Sequence, residues 1–252
     1  MSIEFLTFLK REIHRFLVLY KQTIIPALIS SLLYIIVFGT TLGTRISSID
    51  GVPYINYIIP GLAMMSVINQ AYQNSASSIM QGKYLKFIED FLVAPLSGFE
   101  ISLGYIIGGA IRGLICGLSI LVICLFMTDL KIENYLLTFF YLSTVSWTFS
   151  AFGVIIGIYA KSWDEIGTFT NFVFMPLTFL GGVFYSIDML PPLWRNISYI
   201  NPIYWMISGL RYSTIGLEEN ANLISLFICF GFSCIFTLIA TWMFKTGYKI
   251  KS

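Results

Sequence analysis

The sequence predicts an all-α, polytopic membrane protein, on three observations. Hydrophobic residues make up 57% of the 252 positions and charged residues only 11%, about half the charged share of a soluble domain. Six long windows are free of Asp, Glu, Lys and Arg, except for one arginine in the third. Lys and Arg are distributed unevenly between the segments that join those windows. A bilayer core about 30 Å thick takes about 20 helical residues, and each window is long enough. The windows do not alternate apolar and polar over about ten residues, as barrel strands would.

The first element is expected over residues 2–21. Leu6, Leu9, Ile13, Phe16, Leu17 and Tyr20 recur on one side at helical period, and Lys10, Arg11, His14, Arg15 and Lys21 occupy the other. That is the pattern of a helix lying in the membrane interface. It lacks the short apolar stretch and small-residue cleavage site of a signal peptide. Six spans follow, at about 23–44, 54–80, 101–127, 135–160, 166–187 and 222–244. A seventh apolar window, 196–210, has 15 residues and contains Pro202. It is short for a crossing and suits a re-entrant or interfacial element.

Positive charge sets the orientation. With the N-terminus inside, Lys10, Arg11, Arg15, Lys21, Lys83, Lys86, Lys161, Lys245, Lys249 and Lys251 are cytoplasmic, and Arg45, Lys131, Arg195 and Arg211 are outside. A crossing by 196–210 would carry the last three lysines outward, so an even number of spans, with both termini cytoplasmic, fits better.

The cytoplasmic loop after the second span carries Tyr84, Leu85, Phe87, Ile88, Phe91 and Leu92 at helical spacing, interrupted by Glu89 and Asp90 and closed by Pro95. Such a segment is either a knob that enters a partner's groove or an interfacial helix that anchors its two spans. The third span holds Gly104, Gly108, Gly109, Gly113 and Gly117, in three GxxxG spacings. Small residues four apart let helix backbones approach closely, within one chain or along a dimer seam or moving pathway. Arg112, on the same helix, either snorkels to the interface or lines a pathway. Past the fifth span, Pro191, Pro192 and Pro202 break helices among Trp194, Tyr199, Tyr204 and Trp205. Two short outer helices that dip in and return, over about 188–218, compete here with a simple aromatic belt.

Several chemistries are excluded. A net charge of +2 with scattered carriers does not make a nucleic-acid surface. Cys116, Cys124, Cys229 and Cys234 lie in apolar stretches without ligand spacing and read as small buried hydrophobes. One histidine, His14, and no acid inside a span argue against a metal or hydrolytic site and against an ion-coupled carrier. There is no GxxxxGK[ST] motif: Gly82 and Lys83 are adjacent, but Ser77 stands where the first glycine belongs.

Four motifs in order resemble the ABC-2 type permease family. They are Glu89-Asp90 followed by an apolar run and Pro95, Gly181-Gly182-Val183-Phe184-Tyr185, Leu190-Pro191-Pro192, and Asn201-Pro202 with Arg211 downstream. The resemblance covers essentially the whole chain, with bacterial inner-membrane transport permeases inside the family and drug-resistance, nodulation-factor and polysaccharide exporters as wider relatives. It implies two permease chains paired with two copies of a separate ATPase chain, which holds the ATP and Mg. This chain would itself bind no cofactor. Residues 86–94 would be the coupling helix, through Lys86, Phe87, Glu89, Asp90, Phe91, Leu92 and Pro95. Residues 2–21 would be the interface helix in contact with membrane lipid. Pro191, Pro192, Asn201, Pro202 and Arg211 would shape the outer re-entrant hairpin, and Gly104, Gly108, Arg112 and Gly113 would serve packing or pathway. The implied activity is export of an amphiphilic or lipid-linked molecule across the inner membrane. A non-transporting scaffold of the same architecture is the alternative.

Overall fold

A computed structural model describes residues 3–88, 95–217 and 222–249. Helix α1 (Ile3–Val18) buries Phe5, Phe8, Glu12 and Phe16. Of the apolar face expected to meet the membrane interface, Leu6, Leu17 and Tyr20 point outward, while Phe16 is buried with Phe5 and Phe8, whose ring lies over Gly104 of a neighbouring helix. The helix is thus apolar on two sides, one against protein and one free for lipid. A single turn, α2 (Tyr20–Thr23), leads into α3 (Ile25–Thr41), whose first turn accommodates Pro26 because its missing N–H would have no partner there.

Between α3 and the next helix lies a two-stranded antiparallel ribbon, β1 (Ser48–Ile49) and β2 (Val52–Pro53). Asp50 and Gly51 form its turn at φ 49° and 82°, the positive values a two-residue hairpin requires. This small ribbon is an exception to the expected all-α fold. Helix α4 (Tyr54–Tyr84) then runs 31 residues, most of them buried.

Helix α5 (Gly98–Met127) opens on a capping box, with Ser97 and Glu100 each satisfying the other's backbone N–H. Asn134 and Ser162 likewise cap α6 (Tyr135–Tyr159) and α7 (Trp163–Phe169). A five-residue π turn, Thr170–Phe174, joins α7 to α8 (Met175–Leu180). It stands next to Pro176, whose ring would press on the Phe172 carbonyl of a regular helix. The fifth span, expected to reach residue 187, ends at Leu180. Gly182 then takes φ +76° and turns the chain. A 3-10 turn at Ile187–Met189 precedes α9 (Pro192–Ile200) and α10 (Pro202–Ile215), and α11 (Asn222–Thr246) completes the described chain.

Helix α4 is the centre, packed by α3, α5, α6 and α10. In lipid there is little hydrophobic drive between helices, so close backbone approach and hydrogen bonds decide the packing. Both occur together on α5. Ser75 and Ser150 share a 2.7 Å hydrogen bond. With one proton on each hydroxyl, Ser150 donates to the Ile106 carbonyl at 2.6 Å and Ser75 donates to Ser150, with the Tyr105 carbonyl 3.2 Å from Ser75 Oγ as its alternative acceptor, and Ser146 donates to the Ala110 carbonyl at 2.7 Å. Such interhelical bonds contribute roughly 0.6–1.7 kcal/mol each.

Among the described residues, Tyr20–Thr41, Gly98–Met127, Tyr135–Tyr159 and Leu223–Thr246 are long and apolar enough to cross a membrane. The protein is an all-α polytopic membrane protein apart from its small ribbon. Helix α4 is longer than these but carries a polar stripe, and the 163–180 segment is interrupted by its π turn. The end of α11 returns to the α1 end of the bundle. There Gly98 lies against Lys245, and the Lys249 ammonium sits 3.5 Å from the centre of the Tyr159 ring. Cys116, Cys124 and Cys229 are buried, as expected. Cys234 is exposed, because its side of α11 faces outward beside a groove with α6.

Candidate functional site

The polar stripe of α4 makes the site. Ser66, Asn69, Gln70, Gln73, Asn74 and Ser77 succeed one another at spacings of three and one, which puts them on one helical face. Hydrogen bonding to protein or water must satisfy such side chains inside a bilayer. Part of the stripe borders two adjoining cavities between α3, α4 and the π turn. One, of about 340 Å³, is lined by Gln22, Thr23, Asn69, Gln73, Arg112 and Asn171 among others. The second, of about 290 Å³, continues along α3 past Ser30, Ser31 and Tyr34, with Leu62, Met65 and Ser66 opposite. Pro26, Ala27, Met65, Asn69 and Gln70 line both, so the two form one cleft.

Arg112 lies on the wall of this cleft, 8% exposed. Its guanidinium donates to the Gln70 side-chain oxygen, to Asn74 Oδ1 at 3.5 Å and to the Thr23 carbonyl at 3.4 Å. Every one of these acceptors is neutral. Among the described residues no carboxylate forms an ion pair with it, and its Nε has no hydrogen-bond partner. Sequence reasoning left open whether Arg112 snorkels or lines a pathway; in the fold it borders the cleft in mid-helix.

Next to the cleft, α1 supplies a buried acid that sequence reasoning missed. Glu12 is fully buried, accepts from the Ser78 hydroxyl at 2.6 Å and lies 3.8 Å from Arg15 and 3.9 Å from Arg11. Arg15 bridges to α4, donating to the Asn74 carbonyl at 2.8 Å and to Asn74 Oδ1 at 3.0 Å. Asn74 Oδ1 therefore receives both Arg15 and Arg112 and couples α1 to α5. Burial pushes the Glu12 carboxyl above the usual range, opposed by Arg15, the Ser78 hydroxyl and Arg11. Burial also lowers Arg15, while Glu12 raises it. The available signal was an acid in mid-helix, three residues from Arg15 and apart from Glu4 in the first turn; its burial depends on a helix distant in sequence.

The glycines expected to serve packing or pathway all meet protein. Gly104 lies under the Phe8 ring. A Cβ on Gly108 would stand 3.0 Å from the Glu12 Cβ, and one on Gly113 would stand 2.8 Å from the Ala71 Cβ. The first two seat α1, and the third seats α4.

At the opposite end, α9 and α10 form a helical hairpin. Pro192 and Pro202 take first-turn positions, and Pro191 precedes α9 in extended conformation. Asn201 caps α10 through the Ile203 N–H at 3.0 Å and donates to the Leu177 carbonyl at 2.6 Å. Arg211, 1% exposed, donates to the Gly182 carbonyl at 2.8 Å, with its guanidinium 3.9 Å from the centre of the Tyr57 ring. Glu133 and Asn134, in the α5–α6 loop, donate to the carbonyls of Thr214 and Ser213 at the other end of α10.

Of the coupling segment, Lys86 is exposed with φ 62°, and Phe87 stacks under Arg11 with 4.2 Å from guanidinium to ring centre. Pro95 is exposed at the far side. Glu89, Asp90, Phe91 and Leu92 lie outside the described residues.

Similarity to known proteins bears on what this arrangement serves. The ABC-2 type transporter family matches residues 3–215. The inner membrane transport permease YadH of Escherichia coli (strain K12) is 39% identical over 242 residues, covering 96% of this chain and 94% of YadH. Nodulation protein J of Rhizobium leguminosarum bv. viciae is 24% identical over 225 residues, 86% of this chain and 83% of that protein. A family match across most of the chain, on a polytopic helical fold, is decisive: the chain belongs to the ABC-2 type transporter family and is a multi-pass, non-catalytic permease subunit of such a transporter.

Proposed function

We propose that the chain works in a bacterial inner membrane as the permease of an ATP-driven exporter, moving an amphiphilic or lipid-linked substrate. The observation that carries this reading is the family match over residues 3–215, joined to 39% identity with a protein named for transport across the inner membrane. Six spans, an interfacial α1 and an outer re-entrant hairpin make up its topology. Two features support that topology. Helix α10 has 14 residues, roughly 21 Å of rise, too short for the bilayer core. Its two ends also bond to Leu177 and to residues 133 and 134, which the charge asymmetry assigns to the same, outer side.

A separate ATPase chain carries the ATP and Mg and docks on residues 86–94. A second copy of the permease covers α3, the least buried of the long apolar helices, and brings two clefts to one seam. Closure of the ATPase dimer would then push through residues 86–94 into α4 and α5. The test uses the tagged chain purified from membranes with and without its ATPase. ATP turnover and export are expected only when both chains are present, and Phe91→Ala is expected to weaken their association by about 2 kcal/mol. Glu89→Lys should leave insertion intact and uncouple hydrolysis from export. Turnover by the permease alone would overturn the two-chain reading. An ATPase that binds but never drives export would favour the scaffold.

A further inference from the structure

We propose that the cleft between α3, α4 and the π turn binds the anionic headgroup of an amphiphile, a phosphate or carboxylate held by Arg112. The inference rests on the permease reading above and names the chemical class its cleft would accept.

Charge is the first argument. A guanidinium buried in a membrane protein is costly unless something opposes its charge. Arg15 and Arg11 have Glu12 beside them, but Arg112 has only amide and carbonyl oxygens. Among the residues lining the two cavities it is the one charge, and no Asp or Glu accompanies it. Neutral acceptors orient the group without cancelling its charge. The guanidinium borders the cavity, and its planar fork can turn terminal N–H groups from these neutral oxygens to an incoming oxyanion.

Shape is the second argument. The end near Arg112 is polar, with Gln73, Thr170 and Asn171 able to donate beside it. Asn69 uses its amide N–H on the Met65 carbonyl, and its Oδ1 has no partner among the described residues. Along α3 the lining adds Tyr34 and Leu62 to Ala27 and Met65, with the small hydroxyls of Ser30, Ser31 and Ser66 between them and no charge, a surface that can take part of a hydrocarbon or isoprenoid tail. From Gln22 to Tyr34 the cleft follows roughly 18 Å of helix, so it has room for a head and part of a tail together. A soluble anion would lack the tail contacts and should bind too weakly to occupy the head end at the same concentration.

The third argument is the wall opposite. The π turn Thr170–Phe174 widens the helix where Thr170 and Asn171 meet the cleft. Such turns recur at functional sites because they displace side chains from the regular helical register.

The test needs only the purified full chain in neutral maltoside micelles. Dodecyl phosphate, dodecyltrimethylammonium and inorganic phosphate are added separately, and the apparent affinity is taken from the rise in Tm. Dodecyl phosphate is expected to bind at least about 10-fold tighter than the cationic amphiphile, the scale of one charge-assisted hydrogen bond in a partly buried site. Inorganic phosphate at equal concentration should neither mimic it nor compete. Arg112→Gln should lose about 10-fold in affinity for dodecyl phosphate, and Arg112→Lys should retain part of it. Ala27→Phe, which fills the shared wall of the cleft without touching a charge, should also weaken binding. Equal binding of both amphiphiles by the unmodified chain would overturn the proposal without any variant. Competition by inorganic phosphate would overturn the amphiphile assignment, and unchanged affinity in both Arg112→Gln and Ala27→Phe would overturn the site. None of these results bears on ATPase pairing, so a failure here leaves the permease reading standing.

Discussion

Arg211 and Arg112 are both buried arginines on helices of one bundle, and they are held in opposite ways. Arg211 lies over the Tyr57 ring and bonds to the carbonyl of Gly182, the residue that turns the chain after α8. It ties α4, the turn and α10 together at the hairpin end. Arg112 sits on a cleft wall among neutral acceptors. One arginine is enclosed by the structure it organises, and the other is held ready beside a cavity. A buried charge is weak support for stability in general. Its worth depends on whether its partners are used up by the fold.

The sharpest way to break this comparison is to neutralise each arginine. Arg211→Leu should lower stability by about 3 kcal/mol, through loss of a charge-assisted hydrogen bond and a desolvated cation–π contact. Arg211→Lys should not rescue it, since an ammonium cannot both lie flat on Tyr57 and reach the Gly182 carbonyl as the planar fork does. Arg112→Gln should change stability by less than about 1 kcal/mol, because two of its three acceptors, Gln70 and Thr23, line the cleft, and Asn74 Oδ1 keeps Arg15 as a donor. Thermal unfolding of the three purified variants decides the matter. Equal losses at the two sites would mean that Arg112 is structural as well.

A second contrast separates the closed face of α5 from the lipid-facing surface. Gly113 faces Ala71 and the Val67 carbonyl, so Gly113→Ala places a methyl group against a neighbouring backbone that cannot yield. Overpacking of that kind costs about 1–3 kcal/mol. Gly231, in α11, has nothing within 4 Å of its would-be Cβ, so Gly231→Ala should be neutral or stabilise by up to about 1 kcal/mol through helix propensity. The same unfolding assay checks both. A tolerated Gly113→Ala would show that α4 and α5 are not locked together at this point.

What could be read in the sequence follows the range of the forces involved. The long apolar helices were legible because the bilayer imposes its thickness locally on length and composition. The breaks at Pro192 and Pro202 were legible because a proline interrupts a helix by local chemistry; the cap made by Asn201 was not, and that residue entered only through the family motif. The cleft was not, although its stripe from Ser66 to Ser77 was present at helical spacing. Apolar neighbours masked it in a count of charges, and only packing with α3 and the π turn makes it a cavity. Glu12 escaped for the same reason: its burial depends on Ser78, 66 residues away. The second apolar side of α1 was not legible, because only packing on α5, with Gly104 under Phe8, sets Phe5 and Phe8 against protein.

The smallest expected effect concerns that acid, and it tests whether the α1 end is as firmly set as the hairpin end. Glu12 is faced by Arg11 and Arg15 on α1, by Ser78 on α4 and by Tyr105 on α5. Burial raises its pKa above the ordinary 4.5, and the two arginines and the hydroxyl restrain the rise. Between about 4.5 and that higher folded value, the folded protein keeps a proton that the unfolded chain has released. Stability should therefore be greatest below this window and decline as pH rises through it. Glu12→Gln keeps an acceptor for Ser78 but cannot titrate, so its Tm should be flat over the same window. The opposing pull of Arg15 makes the slope shallow, which places this effect below the other two. An identical decline in the glutamine variant would assign the titration elsewhere and leave α1 as firmly set as the hairpin.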